Sequence, residues 1–426
     1  MADSPRLWIP PAGLAALVGR LRLPGGAAAA GEPAAPSWYR RDRCLDLGAG
    51  GAADRTHGPS LKPGRRMPPA NVFGMASTLR LGVLDQTPVS EGSTAAQALR
   101  DSIDLARLAD RLGFHRYWVA EHHGGGLVGG PSPEVLIGPI AAATSRLRVG
   151  SGGVMLPHYS PFKVAESFGV LAGLFPGRID LGIGRAAGTD PITTQVLQRD
   201  RSRAMPDDFP EQLSELLGYL ERSFPADHPL ARLADSLPGG PEVPETWLLG
   251  SSRQSAIWAG ELGLPYAFAD FINPRGVPHA ETYRSSFAPG VRLAAPRIAV
   301  AVRAIVAETE AEAERLSSSW RMAFDLLRRG RPIPVPTPEK AERYFELHDY
   351  ETETPGDRPR RLTGTAPQVR AEIEEIAAAY GAEEAIVVTI THDHGTRRRS
   401  YELLAEEFGL DASEEPELAQ PTPAGA

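Results

Sequence analysis

The stretch LGIGRAAGTD, residues 181–190, combines closely spaced glycines with one arginine. Gly182 and Gly184 open the G-x-G-x-x-A spacing of a turn that binds dinucleotide phosphates. Such a turn belongs after the first strand of its unit, with an acidic ribose ligand about 20 residues further on. The residues downstream are basic instead, at 199–203. The pattern therefore favours Arg185 as the phosphate ligand, because a guanidinium donates charge-assisted hydrogen bonds, and the glycines make room in the fold.

A second candidate anion site is GSSRQS, residues 250–255. Gly250 would let a ligand approach the backbone, and the serines offer hydroxyl groups. The helix predicted to begin near residue 253 has free amide N–H groups and the positive end of its dipole at this point. An ordinary serine helix cap is the alternative interpretation. Together with Arg185, these groups predict one phosphate site.

The segment EHH, residues 121–123, follows an apolar run and offers two histidines. Adjacent residues at a strand end point to opposite sides, so the two rings are poorly placed to share a metal. We predict His122 as a hydrogen-bond donor or general base, with a histidine satisfied by neighbouring backbone as the alternative. The segment HDH, residues 392–394, could line a ligand site or lie inert on the surface. No metal site is predicted.

Glycines also interrupt the apolar segment GSGGVMLP, residues 150–157. Glycine weakens a strand unless another group must approach its backbone closely. A flat ring resting on Gly152 and Gly153 would be such a group.

The elements that position these residues alternate between strand and helix. Apolar runs without regular alternation are typical of strands buried on both faces of a parallel sheet. The chain contains eight such runs, at 80–84, 116–120, 147–156, 179–183, 246–250, 266–270, 298–307 and 385–390. Helices are predicted near 94–112, 132–144, 161–174, 207–222, 253–262, 308–329 and 365–380. This series predicts an α/β fold, a (β/α)₈ TIM barrel with insertions, and a doubly wound sheet is the alternative.

The predicted domain organisation places the barrel at residues 79–412. Residues 1–78 have too little periodic apolar content to form a core and are predicted to be a disordered extension. Within it, CLDLGAG resembles a methyltransferase motif but lacks the βαβ unit that such a motif needs. We predict an insertion at 331–362 and a disordered acidic tail at 413–426.

The composition narrows the possible ligands and partners. The 426-residue chain has a net charge of −8, which argues against a nucleic-acid binder, since such proteins need a basic face. No apolar run approaches the length of a membrane span, and two prolines interrupt the apolar N-terminal stretch that could otherwise be a secretory signal. The single cysteine, Cys44, cannot form an internal disulfide, so we expect a cytoplasmic protein that binds small molecules.

Six segments in this order resemble the luciferase-like flavin-dependent monooxygenases. The resemblance covers about residues 79–410. Its segments are LGVLDQTPV, YWVAEHH, VGSGGVMLPHYSPFKVAESF, FPGRIDLGIGRAAGTD, WLLGSSRQSAIWAGELGLPYAFA and YGAEEAIVVTITHDHGTRRRSYELLAEEFGL.

The resemblance implies a barrel that binds FMN at its carboxyl-terminal mouth, in a homodimer. His122 would be the active-site histidine, and Gly152–Gly153 would match a non-proline cis peptide beneath the flavin. The implied phosphate ligands are Arg185, Arg203, Gly250, Ser251, Ser252 and Ser255. Ser251 stands where luciferase has an acidic residue, so luminescence is not implied.

The resemblance also implies a reaction. Reduced FMN from a separate flavin reductase would react with O₂, and one oxygen atom would be transferred to a small organic substrate. Two alternatives remain: hydride transfer with the deazaflavin F420, and flavin binding without turnover.

Overall fold

The computed structural model describes residues 79–185, 190–198, 208–290, 292–348 and 362–412. The predicted extension 1–78, the predicted tail 413–426 and Arg203 lie outside these ranges, as does most of the second half of the predicted insertion.

The strands form one closed parallel barrel. They are β1 (Arg80–Asp85), β2 (Arg116–Val119), β3 (Arg148–Met155), β4 (Ile179–Gly184), β5 (Glu245–Gly250), β6 (Tyr266–Ala269), β7 (Ile298–Val306), β8 (Leu362–Gly364) and β9 (Glu384–Val388). Strands β1 to β7 pair in sequence, β7 pairs with β9, and β9 closes the barrel against β1. The short β8 pairs only with the end of β7. The TIM-barrel prediction is confirmed, and the doubly wound alternative is wrong.

Helices surround this barrel. They are α1 (Ala95–Leu112), α2 (Pro133–Ala142), α3 (Pro161–Leu174), α4 (Pro191–Leu197), α5 (Phe209–Leu220), α6 (Ala231–Asp235), α7 (Arg253–Glu261), α8 (Val277–Ser286), α9 (Glu310–Arg328), α10 (Pro338–Leu347), α11 (Ala366–Tyr380) and α12 (His394–Phe408). Each of the seven predicted helices is present. Within the described residues, no helix is long and apolar enough to span a membrane.

Local sequence sets the limits of α1. The Thr94 hydroxyl accepts a hydrogen bond from the backbone N of Gln97 at 3.1 Å, which satisfies one amide of the first turn. The helix ends at Gly113, whose φ of 84° lies in the left-handed region that glycine adopts without strain. Both ends agree with the sequence prediction.

Glycines allow strands β3 and β4 to approach closely. A Cβ added at Gly182 would lie 2.1 Å from the carbonyl oxygen of Ser151, and one at Gly150 would lie 2.4 Å from that of Asp180. Neither position has room for a side chain, so the packing of the two strands requires glycine. Gly182 therefore makes room in the barrel, as expected from its place inside the β/α series.

Large and charged side chains fill the barrel near the amino-terminal ends of its strands. Arg116 is 1% exposed and forms ion pairs of 2.6 Å with both Asp180 and Glu384. Its guanidinium lies 4.6 Å from the ring centroid of Trp247, which contacts Trp118 edge to face. These groups fill the interior of the barrel near the amino-terminal ends of its strands, whereas binding residues of a TIM barrel gather at the opposite, carboxyl-terminal end.

Candidate active site

The predicted site residues lie at the carboxyl-terminal ends of neighbouring strands. Glu121 and His122 come just after β2, and Arg185 directly follows β4. Gly152 and Gly153 are in the second half of β3, and Gly250 ends β5. Because β2, β3, β4 and β5 are consecutive parallel strands, the structure brings these residues to one rim of the barrel.

Arg185 lies against the helix that begins at Arg253. Its guanidinium carbon is 5.5 Å from the ring centroid of Trp258 in α7, a distance typical of a cation–π contact. The two groups predicted to bind one phosphate are therefore on elements in contact. The second predicted arginine, Arg203, is outside the described residues.

The serines at the start of α7 hold the helix terminus together. The Ser252 hydroxyl caps the helix by accepting a hydrogen bond from the backbone N of Ser255 at 3.3 Å. The Ser255 hydroxyl in turn donates to the Ser252 carbonyl at 2.9 Å and lies 3.0 Å from the Tyr266 hydroxyl. Ser251 is half-buried, and its carbonyl accepts a hydrogen bond from Asn273 at 2.8 Å.

The requirement for glycine at position 250 comes from the protein itself. A Cβ at Gly250 would lie 2.2 Å from the Ser255 hydroxyl oxygen. The space beside Gly250 is thus occupied by Ser255, whereas the sequence suggested that a ligand would approach there.

The donors of this part of the rim suit a phosphate monoester. Arg185 supplies a guanidinium, Ser251 and Ser252 supply hydroxyl groups, and the first turn of α7 supplies amide N–H groups at the positive end of the helix dipole. Cationic and neutral donors of this kind can bind a dianionic group, so the residues fit the phosphate of FMN.

The peptide bond between Gly152 and Gly153 is cis. The pairing register between β3 and β4 shifts between Gly152 and Val154. A Cβ at Gly152 would lie 2.6 Å from the side chain of Leu84, and a Cβ at Gly153 would lie 2.8 Å from the carbonyl oxygen of Gly182. The surrounding strands therefore exclude larger residues at both positions.

His122 has the electrostatic properties of a neutral imidazole. Burial and the neighbouring His123 lower the pKa of His122 from 6.5 to about 4. The residue as a whole is half-buried, but the Nδ1 atom of its ring is buried, and its backbone N donates to the carbonyl of Gly130 at 3.1 Å. At neutral pH the ring can therefore accept a proton on one nitrogen and donate a hydrogen bond from the other.

Glu121 makes more contacts in the structure than its sequence context indicated. It is 0% exposed, and its Oε1 accepts hydrogen bonds from His123 Nε2 at 2.7 Å and from the Tyr159 hydroxyl at 2.9 Å. Its Oε2 accepts from the backbone N of Met155 at 2.9 Å. The only sequence signal was a carboxylate beside two histidines at a strand end, which did not reveal its partners.

The segment HDH attaches α12 to its neighbours. His392 Nε2 lies 3.2 Å from the Glu91 carbonyl oxygen, and His394 Nε2 donates to Asp104 in α1 at 2.8 Å. Asp393 between them caps α12 by accepting from the backbone N of Thr396 at 2.8 Å. Among the residues described, no group of three or more His, Cys, Asp or Glu side chains is placed to hold a metal ion.

Comparison with known proteins identifies a family and relatives that this chain resembles. The family model of the luciferase-like monooxygenases matches residues 79–398. The N-acetyl-S-alkylcysteine monooxygenase of Bacillus subtilis (strain 168) is 36% identical over 328 residues, which cover 77% of this chain and 98% of that protein.

Two solved structures resemble the barrel. Apo-MsnO8 has a TM-score of 0.72 and 41% identity, covering 79% of this chain and 99% of its own. The oxygenating constituent of 3,6-diketocamphane monooxygenase from Pseudomonas putida, solved with FMN, has a TM-score of 0.59 and 23% identity, covering 78% and 97%, and this likeness concerns the fold alone. The family match extends over most of the chain and over every strand of the barrel, and the chain belongs to the luciferase-like monooxygenase family.

Proposed function

We propose that this protein is a flavin-dependent monooxygenase that uses reduced FMN and O₂ to oxidise a small organic substrate. The observation that carries the proposal is the contact of Arg185 with α7, on the rim that also contains His122. Family membership and the phosphate-compatible donors support the same assignment. The proposed cofactor is FMN, and a separate flavin reductase would supply it in reduced form.

Arg185 and the start of α7 would hold the FMN phosphate. We assign Ser251 and Ser252 to this group, with Gly250 and Ser255 shaping the helix start beneath it. Arg203 stays a predicted second ligand. Gly152 and Gly153 would lie beneath the ring system, where close packing against Leu84 and Gly182 requires glycine at both positions.

Bound reduced FMN supplies the electrons that activate O₂ for transfer of one oxygen atom to the substrate. The role of His122 is to offer a neutral ring nitrogen that accepts or donates a hydrogen bond near the reacting oxygen atoms. Buried apolar residues that follow β2, β6 and β9, namely Leu127, Phe271 and Ile390, would help to exclude water from this end of the barrel.

The substrate class can be approached through the related enzyme from Bacillus subtilis, whose name specifies an N-acetyl-S-alkylcysteine. We propose thioethers of this kind as the first substrates to test. The homodimer and the cytoplasmic location stay predictions.

The decisive experiment combines the purified protein with FMN, a flavin reductase, NADH and a panel of N-acyl-S-alkylcysteines under isotopically labelled O₂. A product with one labelled oxygen atom, formed only with reductase and lost in His122→Ala, is the expected result. Selective binding of F420 in place of FMN would contradict the cofactor assignment. Tight FMN binding by the wild type without any oxidised product, and equal FMN affinity in His122→Ala, would indicate a flavin-binding protein without turnover.

A further inference from the structure

Glu121 is a buried carboxylate whose three hydrogen-bond donors come from different segments of the rim. His123 lies two residues further along the chain, Met155 ends β3, and Tyr159 follows the 3₁₀ turn Leu156–His158. One side chain therefore connects the end of β2 to the end of β3 and to the turn that follows it.

This connection occurs where the sheet itself is irregular. The register between β3 and β4 shifts between Gly152 and Val154, just before Met155. A hydrogen bond from the Met155 amide to a fully buried carboxylate fixes this part of the strand from the β2 side. The two acceptor oxygens of Glu121 thus constrain the segment on which the flavin ring is proposed to rest.

Glu121 also separates the roles of the two histidines. Its Oε1 engages the Nε2 of His123, so that the second histidine of the pair is committed to a structural contact. Burial and the neighbouring His123 lower the pKa of the adjacent His122, so its ring is neutral at pH 7. By binding the side chain of His123, the carboxylate constrains the residue that follows His122 in the chain.

We propose that Glu121 is a positioning residue that sets the 152–155 segment relative to His122 and thereby fixes the orientation of the bound flavin ring. The inference rests on the proposed function, because it presumes that FMN binds at this rim. Glu121 acts through Met155, His123 and Tyr159, and it touches no reacting atom.

The chemistry of the carboxylate allows an atom-level test. In Glu121→Gln the amide oxygen can still accept from His123 and Tyr159, but the amide nitrogen would face the Met155 N–H, so one hydrogen bond is lost. Tyr159→Phe removes a different single bond, and Glu121→Ala removes all three. The matched control is Asp110→Asn, because Asp110 is also buried and accepts hydrogen bonds from three backbone amides, those of Ser145, Arg146 and Leu147.

The experiment measures FMN affinity by quenching of FMN fluorescence and ring orientation by the visible circular dichroism of bound FMN. Thermal unfolding is recorded in parallel. Glu121→Gln and Tyr159→Phe should each weaken FMN about two- to fivefold, as expected for one hydrogen bond, and Glu121→Ala about tenfold or more. All three should change the circular dichroism of the flavin. Asp110→Asn should lower the unfolding temperature and leave both flavin signals unchanged.

Wild-type affinity and wild-type flavin dichroism in the Glu121 variants would overturn the inference, as would equal flavin effects in Asp110→Asn. If Glu121→Ala does not fold, the test rests on Glu121→Gln and Tyr159→Phe, which each remove a single hydrogen bond. A folded wild-type protein that binds no FMN would overturn the proposed function and this inference together. If the wild type binds FMN and the Glu121 variants show unchanged flavin signals, the inference alone fails and the proposed function stands.

Discussion

At the scale of single residues, the site combines groups whose chemistry is decided by local surroundings. Arg185 packs its guanidinium on Trp258 in the second turn of α7, and His122 is neutral because it is buried next to another histidine. One group can therefore hold an anion while the other exchanges a proton or a hydrogen bond.

Replacing Arg185 with alanine should weaken FMN binding by about 2 kcal/mol, since a charged hydrogen-bond donor to the phosphate is lost. Isothermal titration with FMN measures the change. Arg100→Ala is a suitable control, because Arg100 is exposed on α1 and bonds only to Gln97 among the contacts described. Equal affinity in Arg185→Ala and the wild type would show that the phosphate binds elsewhere.

Two histidines should make the fold sensitive to mild acid. The pKa values of His122 and His115 are lowered from 6.5 to about 4, in both cases mainly by burial, and for His115 also by the charges of Arg116 and Arg80. The unfolded chain therefore takes up protons first as the pH falls, and stability is lost between pH 6.5 and about 4. Urea unfolding across this range should show a smaller loss in His115→Gln than in the wild type. An identical pH dependence in the variant would contradict the assigned pKa.

At the scale of elements, the last helix is attached to the first strand by a buried ion pair. Arg397 in α12 is 2.5 Å from Asp85 at the end of β1, and Tyr117 donates to the same carboxylate at 2.6 Å. Burial alone would raise the pKa of Asp85, but the charge of Arg397 and the hydrogen bond from Tyr117 lower it. This network holds the start and the end of the barrel together.

Arg397→Ala should therefore destabilise the protein by about 3–5 kcal/mol, because it leaves the Asp85 carboxylate buried without its cation. Arg399 on the same helix is a matched comparison. It is 43% exposed and pairs with Glu308, Glu402 and Glu406, so Arg399→Ala should cost less than about 1 kcal/mol. Chemical unfolding measures both values, and similar losses in the two variants would contradict the role of the buried pair.

Polar residues on the buried face of α12 explain why this helix was not predicted from sequence. Its buried residues include Arg397 and Ser400, which interrupt the apolar periodicity of the face that packs on the barrel. The helices α4 and α6 have seven and five residues, too few to show a periodic pattern, and α8 and α10 were also missed. The eight strands that close the barrel were predictable because residues buried on both faces must be apolar almost throughout, as in β7, whereas the three-residue β8 was missed.

At the scale of the whole molecule, the arrangement of the barrel follows from local sequence, but the contacts across the rim do not. Arg185 and the start of α7 could be identified as candidates because each combines groups that suit a phosphate within a few residues, and the structure shows that Arg185 contacts α7. Glu121 could not, since two of its partners, Met155 and Tyr159, lie 34 and 38 residues away. Only the pairing of β2 with β3 brings them together.

Deletion of residues 1–74 should leave the barrel folded and able to bind FMN, because the described strands and helices begin at Arg80 and close without it. Circular dichroism, thermal unfolding and FMN titration of the shortened protein test this expectation. An insoluble product, or a folded one with weakened FMN binding, would assign a structural role to the N-terminal segment.

The packing of Arg116 against Trp118 and Trp247 blocks passage through the interior of the barrel. A ligand bound at the carboxyl-terminal end would therefore enter and leave on the same side of the barrel. Substitutions in the loops that follow the strands should therefore change which ligand binds. Substitutions in the three packed residues should change the stability of the barrel and leave ligand selectivity unchanged.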